Sequence, residues 1–202
     1  MVKTRSYGGA GKQRWIKTDF KPWGLQHSLK KKRILNEGDI KILAANIKDL
    51  RTRALFILTY LTAGRMSELV YEIKKKDLIF KYTRGRSVLL VNMPNRKHLT
   101  RHFKDIPIPV DKESVLLELL TPYLKSLNDD DVLFPFGLIR AYQLIRDSSG
   151  FNNHWLRHLR LTHLVLYHDF NEQLLVRFAG WTNSLPAKSY MEIRWSDILD
   201  KY

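Results

Sequence analysis

The twelve residues NNHWLRHLRLTH, from Asn152 to His163, constrain the fold of this chain more than any other stretch. They set three histidines and two arginines among leucines in a helix-like segment. A polar group turned toward a core is costly unless it is paired. Either these cations meet an anion, or the pattern carries no meaning. On a helix His154 and Arg157 stand at i and i+3 and share one face. Leu156, Leu159 and Tyr167 can take the buried side. Arginine presents a planar fork that matches two phosphate oxygens, and histidine gains or loses a proton near neutrality. One helix edge thus offers a phosphate clamp and an acid/base group together.

The charge of the whole chain points the same way. Across 202 residues it carries 35 Lys and Arg against 20 Asp and Glu, a formal net charge of +15. A polyanionic partner follows, with nucleic acid favoured over an acidic membrane surface. There is no cysteine, so neither disulfides nor thiolate chemistry enter. The first residues lack the apolar core of a signal peptide, and no run approaches membrane-spanning length. The expectation is a cytoplasmic, DNA-associated protein without a membrane partner. Residues 1–34 hold ten cations, among them Lys30, Lys31, Lys32 and Arg33, against Asp19 alone, and so contribute +9 of the total. With YGGAGK and KPWG and no helical period, they read as a flexible basic arm that contacts DNA.

A domain over residues 35–202 follows. Asn36 is placed to cap a helix with an apolar stripe of Ile40, Leu43 and Ile47. TRALFILTYLTAG is a strongly apolar helix, with Gly64 suited to its C′ position. RMSELVYEIKKKDLIF reads as a short helix and then a turn. SVLLVNM and FKDIPIPV read as strands, with the basic segment between them forming a turn or hairpin. DKESVLLELLTPYLKSL, LIRAYQLIRDSSG, the opening segment and NEQLLVRFAGW are helical, and DDDVLFPFG is a loop. A last short helix follows Ser184, with Pro186 just inside it. The fold class expected is mainly α with a small inserted antiparallel β-sheet.

Other residues join His154 and Arg157. In LTAGRMSEL, Arg65 follows a helix stop, with Glu68 three residues on to hold it. FAGWTNSLPAKSYMEI places Trp181 after a second stop and Tyr190 further on. The ordered set of Arg65, a basic hairpin, His154-x-x-Arg157-His158, Gly180-Trp181 and Tyr190 resembles the catalytic domain of the tyrosine recombinase family, the phage-type integrases and Xer-like enzymes. The resemblance covers about Arg33 to the C-terminus; a glycine directly before the arginine is a small departure.

That resemblance implies a site-specific recombinase or integrase that breaks and rejoins double-stranded DNA through a 3′-phosphotyrosyl intermediate. Tyr190 is the implied nucleophile. Arg65 and Arg157 would neutralise the transition state, and His154 would handle the tyrosine proton. Trp181 would orient the phosphate, since an indole donates a hydrogen bond but transfers no proton. A hairpin lysine would protonate the leaving 5′-oxygen. Lys97 is the choice, with Arg96 and Lys104 left open, and Arg96 and Arg101 would also contact DNA. Glu68 and His158 are support residues, and Tyr202 is a rival hydroxyl outside the motif spacing. The resemblance implies no cofactor and no metal, because arginines supply the cationic charge. It also implies self-association on DNA as a tetrameric synapse. Relatives usually carry a separate core-binding domain, and none is evident here. Two other classes stay open: a type IB topoisomerase-like nicking-closing enzyme, and a non-catalytic DNA-binding module that keeps the fold.

Overall fold

A computed structural model describes residues 35–95 and 102–191. Residues 1–34, which the sequence reads as a basic arm, lie outside the described residues, as do Arg96, Lys97, Arg101 and Tyr202. The chain order is α1 (Glu37–Asn46), α2 (Leu50–Thr62), α3 (Met66–Leu69), a 3-10 turn (Lys75–Asp77), β1 (Leu78–Thr83), β2 (Arg86–Asn95), β3 (His102–Pro109), α4 (Ser114–Lys125), α5 (Leu138–Ser149), α6 (Asn153–His168), α7 (Glu172–Ala179) and α8 (Leu185–Met191). The architecture is mainly helical with one small antiparallel sheet.

Helix α2 is the hub, packed against α4, α5 and α6. Ala54 to Leu58 are fully buried, as are Tyr60 and Leu61, because a helix apolar on every side must be covered on every side. Asp49 caps its start by accepting from the Thr52 amide at 2.8 Å. At its end the left-handed residue is Ala63, at φ 45°, and not the glycine that follows. Gly64 serves by its lack of a side chain. A Cβ there would meet Thr62 Oγ1 at 2.8 Å and Met93 Cε at 2.9 Å. Asn36 caps α1 in a reciprocal capping box with Asp39, and Ile40, Leu43 and Ile47 are buried as their spacing predicts.

The sheet has the order β1-β2-β3. Its first strand corrects the reading of DLIF as part of a turn: Leu78 pairs with Val91 and Phe80 with Leu89. Strand β3 pairs with β2 so that Ile108 faces Leu89, Ile106 faces Val91 and Lys104 faces Met93. Strand side chains alternate between faces. Leu89, Val91, Met93, Ile106 and Ile108 are all buried, so this register carries Lys104 to the interior face, and it too is buried.

Helix α6 starts from Asn152, whose side chain accepts from the Trp155 amide at 2.7 Å. Leu156 and Leu159 are buried; Tyr167 is half-buried.

Candidate active site

Four elements bring the predicted residues to one cavity. Arg65 leads into α3, His154, Arg157 and His158 lie on α6, Trp181 follows α7, and Tyr190 lies on α8. All six line an open cavity of about 420 Å³, together with Ser67, Tyr142 and Ser189.

The two arginines are held differently. Arg65 donates from Nη1 to Glu68 Oε1 at 2.7 Å, and its backbone N–H donates to Glu68 Oε2 at 3.0 Å. It stays about one-third exposed, whereas Glu68 is wholly buried. Arg157 is buried. It donates to the carbonyls of Ala63 and, at 3.2 Å, Ala179. Ala63 is the residue that caps the end of α2 and Ala179 is the last residue of α7, and helix ends leave carbonyl acceptors unfilled. Two helix ends thus aim one guanidinium, which also lies 5.8 Å from the centroid of the Trp181 ring. Burial first, and then the nearby Arg65, lower the Arg157 pKa, against the pull of Glu68 and Tyr190.

Behind Arg65 the same carboxylate binds a second cation. Lys104 Nζ lies 3.2 Å from Glu68 Oε2. Burial opposes ionisation of Glu68, but Lys104 and the hydrogen bonds from Arg65 outweigh it and hold the carboxyl below its usual range. Burial depresses the Lys104 pKa; Glu68 pulls it back, while Arg157 and Arg65 push it further down. Sequence reasoning left Lys104 open. The parity Lys104, Ile106, Ile108 in FKDIPIPV was the signal that could have placed it inside. The same parity on β2 buries Asn95, which was missed; its Nδ2 donates to the Gly180 carbonyl at 3.3 Å. Gly180 has φ 68°, and a Cβ there would meet Asn95 Nδ2 at 2.7 Å. This contact ties the end of β2 to the turn that presents Trp181.

Tyr190 lines the cavity and is buried, at 8% exposure. Burial pushes its pKa up to about 12, against the pull of Arg157. Its ring stacks with His158 at 5.5 Å and with Trp181 at 5.9 Å. Its hydroxyl lies 2.5 Å from His158 Nδ1. The contact expected of His154 is therefore made by His158, one turn further along α6; His154 is exposed, with its ring centroid 4.4 Å from that of His158.

The opposite face of α6 is structural. His163 bridges the Tyr60 hydroxyl at 2.7 Å and the Leu35 carbonyl at 2.6 Å. Arg160 pairs with Glu113 at 2.7 Å and Glu37 at 3.4 Å. Glu37, Glu113 and His168 could together offer ligand atoms to a metal ion, but the Arg160 guanidinium already answers the carboxylates.

No family model matches the sequence. Among solved structures, the chain is similar to XerA recombinase, with a TM-score of 0.60 and 19% identity, over 87% of this chain and 66% of that one. It is similar to XerH site-specific recombinase bound to its difH substrate, with a TM-score of 0.54 and 19% identity, over 83% of this chain and 52% of that one. It is also similar to the Tn1549 transposon integrase in complex with transposon right end DNA, with a TM-score of 0.51 and 14% identity, over 83% and 64%. The chain therefore spans about half to two-thirds of the length of these proteins. Its fold is that of the tyrosine recombinase catalytic domain. Among curated proteins, the putative septation protein SpoVG of Clostridium botulinum strain Alaska E43 is 29% identical over 92 residues, 43% of this chain and 96% of that protein. That likeness leaves more than half of this chain unmatched. No helix among the described residues is long and apolar enough to cross a membrane.

Proposed function

We propose that this protein is a DNA strand transferase, a site-specific recombinase or integrase that breaks and rejoins double-stranded DNA through a 3′-phosphotyrosyl link to Tyr190. The observation that carries the reading is the convergence of Arg65, Arg157, His154, His158, Trp181 and Tyr190, from four separated stretches of sequence, on one cavity. The similar XerH and Tn1549 structures hold DNA, which supports DNA as the substrate.

The chemistry follows from the residue types. The Tyr190 oxygen attacks phosphorus, the bond to the 5′-oxygen breaks, and the phosphodiester energy is kept in the tyrosyl ester. Arg65 and Arg157 neutralise charge that builds on the non-bridging oxygens. Trp181 orients the phosphate. The leaving 5′-oxygen needs a proton, and Lys97 is the proposed donor. Lys104 is buried against Glu68 and is absent from the cavity lining, so its proposed role is to hold Glu68 and through it Arg65. Self-association on DNA, as a tetramer, belongs to the same proposal.

The test is chemical. The full chain is incubated with a pool of nicked duplex oligonucleotides of random sequence, and detergent-resistant adducts are digested with protease and nuclease. A nucleotide is expected on the peptide that contains Tyr190, and the attached DNA gives the site preference. An adduct on another peptide moves the nucleophile. No adduct leaves a DNA-binding module with this fold.

A further inference from the structure

Resting on the recombinase reading, we infer that His158, and not His154, takes the proton from Tyr190 during strand cleavage and returns it during rejoining. Three observations converge. The Tyr190 hydroxyl meets His158 Nδ1 at 2.5 Å, within reach for direct transfer. The two rings are stacked at 5.5 Å, which fixes the direction of that bond. His154 and His158 are both exposed, with ring centroids 4.4 Å apart, and of the two it is His158 that reaches the Tyr190 hydroxyl.

The proton inventory balances once the lysine of the proposed function is included. The hydroxyl donates to an unprotonated Nδ1, so the His158 ring carries its hydrogen on Nε2. As the bond from the Tyr190 oxygen to phosphorus forms, its proton passes to Nδ1 and the ring becomes a cation. The bond from phosphorus to the 5′-oxygen breaks, and that oxygen takes its proton from the donor lysine. Rejoining runs each transfer backward, so the cationic His158 protonates the departing tyrosine oxygen. The groups that face His158 keep it ready: burial first, then His154 and Arg157, lower its pKa, which favours the neutral ring at neutral pH. A tyrosine whose own pKa is pushed up to about 12 needs such a base. His154, at the cavity lining, is left free to contact a phosphate oxygen.

His158→Asn separates base from positioner. Asparagine offers an acceptor oxygen near the Nδ1 position but takes up no proton. The rate of covalent adduct formation is read across pH with the full chain and the same nicked random-sequence pool. His158→Asn is expected to be slower by about a hundredfold at neutral pH, the usual contribution of a positioned base. Its rate should keep climbing with pH where the wild type levels off. Added imidazole should accelerate His158→Ala and leave the wild type unchanged, while His154→Gln should lower the rate and keep the wild-type pH profile. A His158→Asn protein with the wild-type rate and profile overturns the inference, as does imidazole rescue of His154→Ala in place of His158→Ala. Failure of the wild type to form any Tyr190 adduct sinks the recombinase reading and this inference with it; a wild-type adduct with an indifferent His158 sinks the inference alone.

Discussion

Lys104 Nζ lies 3.2 Å from Glu68 Oε2, deep behind the site, while Arg65 holds the other oxygen of the same carboxylate at 2.7 Å. One buried anion therefore anchors a cation from the sheet and a cation from the cavity.

Removing that anion should cost both stability and activity. Glu68→Gln keeps the shape but leaves Lys104 buried beside two arginines without its counter-charge. Breaking a buried pair in this way costs about 3 to 5 kcal/mol. Urea unfolding measures it, and a change below about 1 kcal/mol would show that solvent already screens the pair.

The two lysines should separate under a chemical test. A substrate with a 5′-bridging phosphorothiolate leaves as a thiolate and needs no proton. Lys97→Ala should be rescued by this substrate. Lys104→Ala should not be, because its loss loosens Glu68 and Arg65 instead. Rescue of Lys104→Ala with none for Lys97→Ala would exchange the two roles.

Stability should fall on mild acidification through His163. The ring is fully buried, and burial lowers its pKa to about 4, from about 6.5 when unfolded. Between these values the unfolded chain binds more protons, so the stabilisation is present above about pH 6.5 and is lost as pH falls toward 4. The full difference is about 3 kcal/mol. Glu37, whose carboxyl also sits below its usual range despite burial, through its bond to His168, adds loss in the same direction at lower pH. His163→Gln should flatten the pH dependence across this window, whatever it does to absolute stability. An unaltered slope in that variant would place the acid sensitivity elsewhere.

Residues 1–34 carry +9 of the net charge, and their contribution should appear in salt dependence. Each phosphate neutralised adds about −0.9 to the slope of log affinity against log salt, so deleting them should flatten that slope by roughly 3 to 5 units. An unchanged slope would show that these cations do not reach DNA.

Much of this site was legible because its residues sit at helix stops and on one helix edge. Such positions are set by local sequence: Arg65 after a C-terminal glycine, Trp181 after another, His154 and Arg157 three apart. What stayed hidden depends on pairing across long distances. The DLIF start of β1 reads as a turn because exposed Ile79 and Phe80 beside Leu78 show no apolar alternation; its place comes from β2. Nothing local distinguishes His158 from His154 as the partner of Tyr190, since that choice depends on how α8 docks. The Arg160–Glu113 pair joins residues far apart in the chain, and no spacing announces it.

The Tyr190 hydroxyl is the proposed nucleophile. Tyr190→Phe keeps the ring that stacks with His158 and Trp181 and removes only the oxygen. Adduct formation and equilibrium binding are measured side by side on the same nicked duplex pool. Complete loss of the detergent-resistant adduct is expected, with DNA affinity within about twofold of wild type, since one neutral hydroxyl neutralises no phosphate. A phenylalanine variant that still forms the adduct would contradict that role for Tyr190.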